Sequence, residues 1–395
     1  MKILKRALLP LLLFLLSCKD SAVLLKELHI ISDTIKTQYA PDKRVAIFEV
    51  NFEDINDIII ASGITDSKEA HQKLVTNLKS LNIAFINNIR ILPDTVVGTK
   101  KFAVARNSVI NIRSNPKHSA ELGTQGLLGM SLKVLDKKGD FYRIQTPDSY
   151  ISWVDKGGIQ KMNKKQFDAW NTSEKVIFIE TNGFVYTAAS EKSPIVSDIT
   201  LGALLQYRSE NDSFFGVKYP DNRIGFIKKT EAIRYNSWLE NTDLTGEKIE
   251  KTAKKMNGFP YLWGGTSIKG MDCSGFTKMA YLMNGFIIPR DASQQINAGK
   301  KVDSELNFKT LEKGDLLFFG TRADAVKKQR VVHVGIWLGN QKMEFIHASG
   351  NVHISSMDTA QAHYDDFNKK RYLGSRRYIG SSNKNIIALR TKLKP

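Results

Sequence analysis

The spacing of apolar positions changes several times along this chain, and each change marks a different kind of element. From Ser67 to Leu81 they fall at Ala70, Leu74, Val75, Leu78 and Leu81, which is the spacing of one helical face. Ser67 supplies a start for that helix. Upstream, Arg44–Val50 and Asp57–Ala61 are runs rich in branched residues that predict strands, so residues 19–100 read as a small β-β-α-β unit. Residues 101–163 break into short strands separated by turn signals at Asn111–Pro116 and Lys137–Asp140, closing with Tyr150–Val154, a pattern that predicts a small β-barrel. Residues 164–240 repeat that size and order less clearly, with strands expected at Phe184–Tyr186, Leu201–Leu204, Phe214–Val217 and Ile224–Ile227. A helix near Thr245–Met256 opens the last region, 241–395. There Phe276, Met279, Ala280 and Met283 share a helical face, and Gly314–Gly320, Val332–Trp337 and Met343–Ser349 read as strands. The fold class expected is a multidomain α+β chain.

The first 18 residues follow none of these patterns. Lys2, Lys5 and Arg6 precede the apolar run Ala7–Leu16, which falls short of the roughly 20 residues of a spanning helix but suits a secretory signal. Its end, Leu15-Leu16-Ser17-Cys18, resembles a bacterial lipobox, which implies lipidation of Cys18 and a chain exported and held in the cell envelope by acyl groups. Net charge is +18, and loss of the three signal cations leaves +15. The basic residues are scattered with no aromatic stacking platform, and an exported chain meets no genome, so nucleic acid is excluded as partner. The excess instead suits anionic envelope polymers. Two cysteines exclude a disulfide scaffold. With Cys18 consumed by the anchor, Cys273 is the one remaining thiol, and chemistry is a better reason than packing to keep it outside the cytosol.

Cys273 sits at the first turn of the helix that carries Phe276, after the glycine-bearing loop Gly264–Gly270. The positive end of a helix favours an anion there, so the thiol pKa is expected to fall. A thiolate nucleophile needs a base and a group that orients the base. His333 and His347, on neighbouring predicted strands, supply them: His333 as base, His347 holding its ring. His29, His118, His353 and His363 stand in no comparable context. One cysteine and two histidines make a poorer zinc site, lacking a fourth ligand and short spacing, so no metal or cofactor is expected.

Tyr261–Gly265, Asp272–Gly275, Gly314–Phe319, His333–Ile336 and Ile346–Ala348, in that order, resemble the motifs of NlpC-type cell-wall cysteine peptidases. The stretch beginning Asn111-Ile112-Arg113-Ser114 similarly resembles bacterial SH3 domains. The resemblance implies a lipoprotein signal at 1–18, an α/β unit at 19–100, SH3-like barrels at 101–163 and 164–240, and a papain-like α+β peptidase domain at 241–395. It also implies the branch that cuts peptidoglycan stem peptides between D-glutamate and the diamino acid when the L-Ala amine is free. By resemblance, Asp272 would receive the substrate ammonium, Ser274 and Ser293 would bind substrate, and Tyr261 and Trp263 would wall the pocket. Glu121 and Tyr150 are the candidates for the acidic residue and tyrosine that the first barrel contributes. A burying pocket for an ammonium requires such an acid, because an unpaired buried charge is costly. A monomer is expected. The competing readings are a non-catalytic wall-binding lipoprotein and an amidase or acyltransferase on the same framework.

Overall fold

The computed structural model describes residues 21–390; Cys18 and its signal lie outside them. Two compact units meet between Leu92 and Pro93. The first opens with a helix that the spacing did not predict, α1 (Ser21–Tyr39). Its β-branched residues, among them Val23, Ile30, Ile31 and Ile35, depress helix propensity. Burial of Leu24, Leu28 and Ile35 along one face overrides that preference. Strands β1 (Phe48–Ile55) and β2 (Ile58–Thr65) pair antiparallel, and β3 (Phe85–Ile91) runs parallel to β2. Helix α2 (Lys68–Ser80) makes the crossover and is capped by the Ser67 hydroxyl, which accepts the Ala70 N–H at 3.0 Å. Leu24, Leu28, Ala70, Leu74 and Leu78 pack with Phe48, Phe52 and Ile59 in one core.

The second unit holds two seven-stranded sheets and a six-stranded one. The first seven strands lie between Phe102 and Met162, and the second set between Lys175 and Arg234. Numbered within each set, both sheets follow one order: seventh, first, fourth, fifth, sixth, second, third. Each encloses its own core, one built on Ile110, Ile112, Val134, Ile144 and Val154, the other on Val176, Val185, Leu205, Val217 and Ile227.

In the last region, α3 (Gly246–Lys255) and α4 (Cys273–Leu282) are followed by β4 (Lys300–Val302), β5 (Leu316–Thr321), β6 (Arg330–Trp337), β7 (Glu344–Ser349), β8 (Asn351–Ser356), the short helix α5 (Asp366–Lys370) and β9 (Tyr372–Arg377). The sheet is antiparallel in the order β4-β9-β5-β6-β7-β8. Phe276, Met279 and Ala280 of α4 pack on Phe318, Val334, Ile336 and Ile346, so the start of the helix is held beside the middle of the sheet.

The first seven-stranded domain is joined to this region through a dry polar seam. Gln125 accepts the Thr266 N–H at 3.0 Å and the Ser267 hydroxyl at 2.9 Å, and its own N–H donates to the Thr266 hydroxyl at 3.2 Å. Lys278 of α4 pairs with Asp148 at 2.5 Å, with side chains 10% and 3% exposed. Gly264, at φ +77°, packs so closely on Leu122 that a Cβ there would lie 2.1 Å from its carbonyl oxygen.

Candidate active site

Helix α4 is opened by Asp272, whose carboxylate accepts the Gly275 N–H at 2.7 Å, and this cap sets Cys273 as the first helical residue. The thiol is buried, 6% exposed. Burial, then the charge of Asp272, push its pKa up to about 12, against the backbone N–H groups of Val334 and Ser274 and the charge of Arg290. The lowered thiol pKa expected from the helix start is therefore corrected: removal from water and the adjacent capping carboxylate outweigh the helix end in the free enzyme. The influence of the Val334 N–H puts the thiol beside the strand residue that follows His333.

His333 on β6 and His347 on β7 are both buried, with His333 Nε2 2.7 Å from His347 Nδ1. His347 Nε2 lies 3.0 Å from the Ser355 hydroxyl and 4.0 Å from Asp365 Oδ2. Burial, followed by the field of its histidine neighbour, holds His333 well below the ordinary imidazole range, and burial brings His347 to about 3. Both rings are neutral at pH 7. Ser355 and Asp365 were missed in the sequence because neither lies in a recognisable motif; the β7–β8 hairpin and the cap of α5 bring them in. The same hairpin corrects the dismissal of His353. It pairs across from His347, and the ring centroids are 4.4 Å apart. Symmetry about the turn at Gly350 was the available signal.

Of the predicted pocket residues, Ser274, Tyr261 and Tyr150 gather around Asp272 and its partner Arg290, whereas Glu121 and Trp263 pair with each other. Asp272 accepts from five donors: Gly275 N–H, Gly264 N–H at 3.0 Å, the Ser274 hydroxyl at 3.2 Å, and Arg290 through Nη1 at 3.1 Å and Nη2 at 2.6 Å. Arg290, 1% exposed, also donates to the Ser274 hydroxyl at 2.9 Å. Its Nε is buried without a partner among the described residues. Asp272 is thus a structural anchor with its charge already compensated. Glu121 is the exposed carboxylate at this edge, and the indole N–H of Trp263, itself 62% exposed, donates to it at 2.7 Å. Tyr150 bears electrostatically on Arg290. Burial, with the charges of Cys273 and Asp272, pushes the Tyr261 hydroxyl up to about 12, which places it beside the thiol. Ser293 stands half-buried in the short helix Ala292–Gln295, three residues after Arg290. Arg290 has no role in the sequence reading; a buried arginine next to a helix-capping aspartate is the pairing that low dielectric demands.

A buried thiol at a helix start, a strand histidine and a second histidine bonded to the first are the working parts of a cysteine peptidase. Residues 258–377 match the NlpC/P60 family and residues 108–160 match the bacterial SH3 domain. A gamma-D-glutamyl-L-lysine dipeptidyl-peptidase of Bacillus cereus is 31% identical over 271 residues, 66% of this chain and 76% of that protein. The protein of the same description from Bacillus subtilis is 29% identical, covering 56% of this chain and 70% of that protein. Among solved structures, an NlpC/P60 family protein from Bacillus cereus aligns with a TM-score of 0.60 at 26% identity, over 70% of this chain and 99% of that one. An NlpC/P60 endopeptidase from Photobacterium damselae shares the fold over 92% of this chain and 84% of its own, with a TM-score of 0.53 at 14% identity. The chain belongs to the NlpC/P60 family of peptidoglycan hydrolases and is a cysteine peptidase carrying a bacterial SH3 domain.

Proposed function

We propose that this peptidase cleaves the γ-D-glutamyl–diamino acid bond of peptidoglycan stem peptides whose L-Ala amine is free, releasing L-Ala-D-Glu. The observation that carries the reading is the Glu121–Trp263 contact at 2.7 Å. It supports an acidic side chain of the SH3 domain as the counter-charge that a substrate ammonium needs at the edge of the thiol cleft. Because Asp272 is fully occupied, Glu121 takes the ammonium and Asp272 with Arg290 hold the floor of the pocket rigid. Relatives named gamma-D-glutamyl-L-lysine dipeptidyl-peptidase support the same bond.

The neutral thiol and imidazole of the free enzyme define the first step. His333 passes one N–H to His347 Nδ1, and His347 passes its own to Ser355, which leaves the remaining nitrogen of His333 as base. That nitrogen takes the Cys273 proton as sulfur bonds to the γ-carbonyl carbon of D-glutamate. Backbone N–H groups at the start of α4 hold the oxyanion. Collapse breaks the C–N bond, the proton goes to the leaving α-amine of the diamino acid, and water activated by His333 hydrolyses the thioester.

The second seven-stranded domain, with the strand order of the first, is a second SH3-like barrel. The signal ending at Cys18 supports an exported, lipid-anchored enzyme, and among the described residues no helix is long and apolar enough to cross a membrane. Incubation with L-Ala-γ-D-Glu-L-Lys or its diaminopimelate counterpart yields L-Ala-D-Glu by mass spectrometry, and Cys273→Ala yields none. Absence of the dipeptide from the unmodified protein overturns the reading.

A further inference from the structure

Two guanidinium groups bear on Cys273, and they are equipped differently. Arg290 is sealed in the floor and spent on Asp272. Arg371, at the end of α5, is only partly buried; the charge of Asp365 bears on it, but it forms no ion pair within 4.0 Å among the described residues. Its Nε and Nη2 both donate to Asn368 Oδ1, at 3.0 and 2.7 Å, and its guanidinium carbon lies 4.1 Å from the Phe367 ring centroid. Nη1 has no partner among the described residues.

The group is also fixed relative to the histidines. The Arg371 carbonyl accepts the Gly320 N–H at 2.9 Å, next to Phe319, whose cross-strand partner is His333. Asn368 donates to Asp365, and Asp365 lies 4.0 Å from His347. The positive field of Arg371 reaches both rings and the thiol. An unpaired cation locked by a planar contact and two hydrogen bonds is preorganised for an anion. All its side-chain partners lie in 367–368, on the histidine wall of the cleft, whereas the acyl half of the substrate is assigned to the SH3 edge at Glu121.

We propose that Arg371 anchors a carboxylate of the leaving diamino acid and so determines specificity on the leaving-group side. This rests on the γ-D-glutamyl reading above. His333 hands its proton to the leaving nitrogen, so the leaving residue lies against the histidine wall. A tripeptide ends there in a free α-carboxylate, and diaminopimelate carries a second carboxylate on its side chain.

The test compares L-Ala-γ-D-Glu-L-Lys with its C-terminal amide, and adds the diaminopimelate peptide amidated only at the α-carboxyl. The unmodified enzyme cleaves the acid about tenfold or more faster in kcat/KM than the lysine amide, the value of a charge-assisted contact. In Arg371→Gln the acid-to-amide ratio of kcat/KM collapses toward one, chiefly through the KM of the acid, whatever change the loss of the cation imposes on both peptides alike. If the α-amidated diaminopimelate peptide keeps the fast rate, and loses it in Arg371→Gln, the side-chain carboxylate is the ligand; if it behaves as the lysine amide does, the α-carboxylate is. Equal cleavage of acid and amide by the unmodified enzyme overturns this proposal alone and needs no variant. An equal slowing of both peptides by Arg371→Gln also overturns it. Cleavage of no peptide by the unmodified enzyme overturns the γ-D-glutamyl reading with it.

Discussion

The two seven-stranded domains follow the same strand order yet meet the peptidase region by different chemistry. The first does so through buried groups: Gln125 threaded onto Thr266 and Ser267, and Lys278 paired with Asp148 at 10% and 3% exposure. The second does so through the apolar side chain of Leu201, buried in the core of the peptidase region, and through wetter ion pairs, Lys269 with Asp198 and Lys255 with Glu180, whose side chains are 37–47% exposed. Among the described residues it is the first whose carboxylate, that of Glu121, accepts from the Trp263 indole of the peptidase region. One topology is used in two ways, and what separates them is how much polar surface was taken out of water at the contact. Buried hydrogen bonds and a buried ion pair fix orientation as well as position, which apolar packing and exposed ion pairs do less well.

The largest effect expected from this difference is on stability. Asp148→Ala leaves the Lys278 ammonium buried and unpaired and costs about 3–5 kcal/mol by chemical denaturation, whereas Asp198→Ala, on the second domain, costs no more than about 1 kcal/mol. Equal costs would remove the contrast. Next comes catalysis: Glu121→Gln lowers kcat/KM on free-amine peptides about 100-fold with the unfolding midpoint unchanged, and Glu180→Gln on the second domain leaves kcat/KM as it was.

A smaller effect separates the catalytic sheet from both seven-stranded domains. The folded value of His347, about 3, lies below the roughly 6.5 of an unfolded chain, so the folded state resists its protonation. Its contribution to stability is complete above pH 6.5 and drains away as pH falls toward 3. The denaturation midpoint of the unmodified protein therefore drops between pH 7 and pH 5, and drops less in His347→Gln; identical slopes would contradict the neutral pair.

What the sequence disclosed follows from where the constraint is local. Cys273 at a helix start, and His333 and His347 within alternating strands, are readable because each lies inside a periodic segment of its own. The SH3 match at 108–160 likewise rests on turn residues contiguous in the chain. Ser355, Asp365 and Arg371 were silent because hairpin register and the caps of a five-residue helix deliver them, and Arg290 because its partner Asp272 lies 18 residues away; no local pattern encodes any of these. The thiol pKa went wrong for a related reason. Helix position is legible in sequence, but desolvation is a property of everything packed around Cys273. Helix α1 was missed because its propensity argues against it and only its tertiary core argues for it.

The measurement that bears most directly on the central claim, that the first SH3 domain completes a free-amine pocket, is one ratio taken in two proteins. It is kcat/KM for L-Ala-γ-D-Glu-L-Lys over that for the N-acetylated peptide, in the unmodified enzyme and in Glu121→Gln. The account predicts a ratio of about 100 or more that collapses toward unity in the variant, as loss of a charged partner in a closed site requires. A ratio near one in the unmodified enzyme, or one that Glu121→Gln leaves untouched, would contradict it.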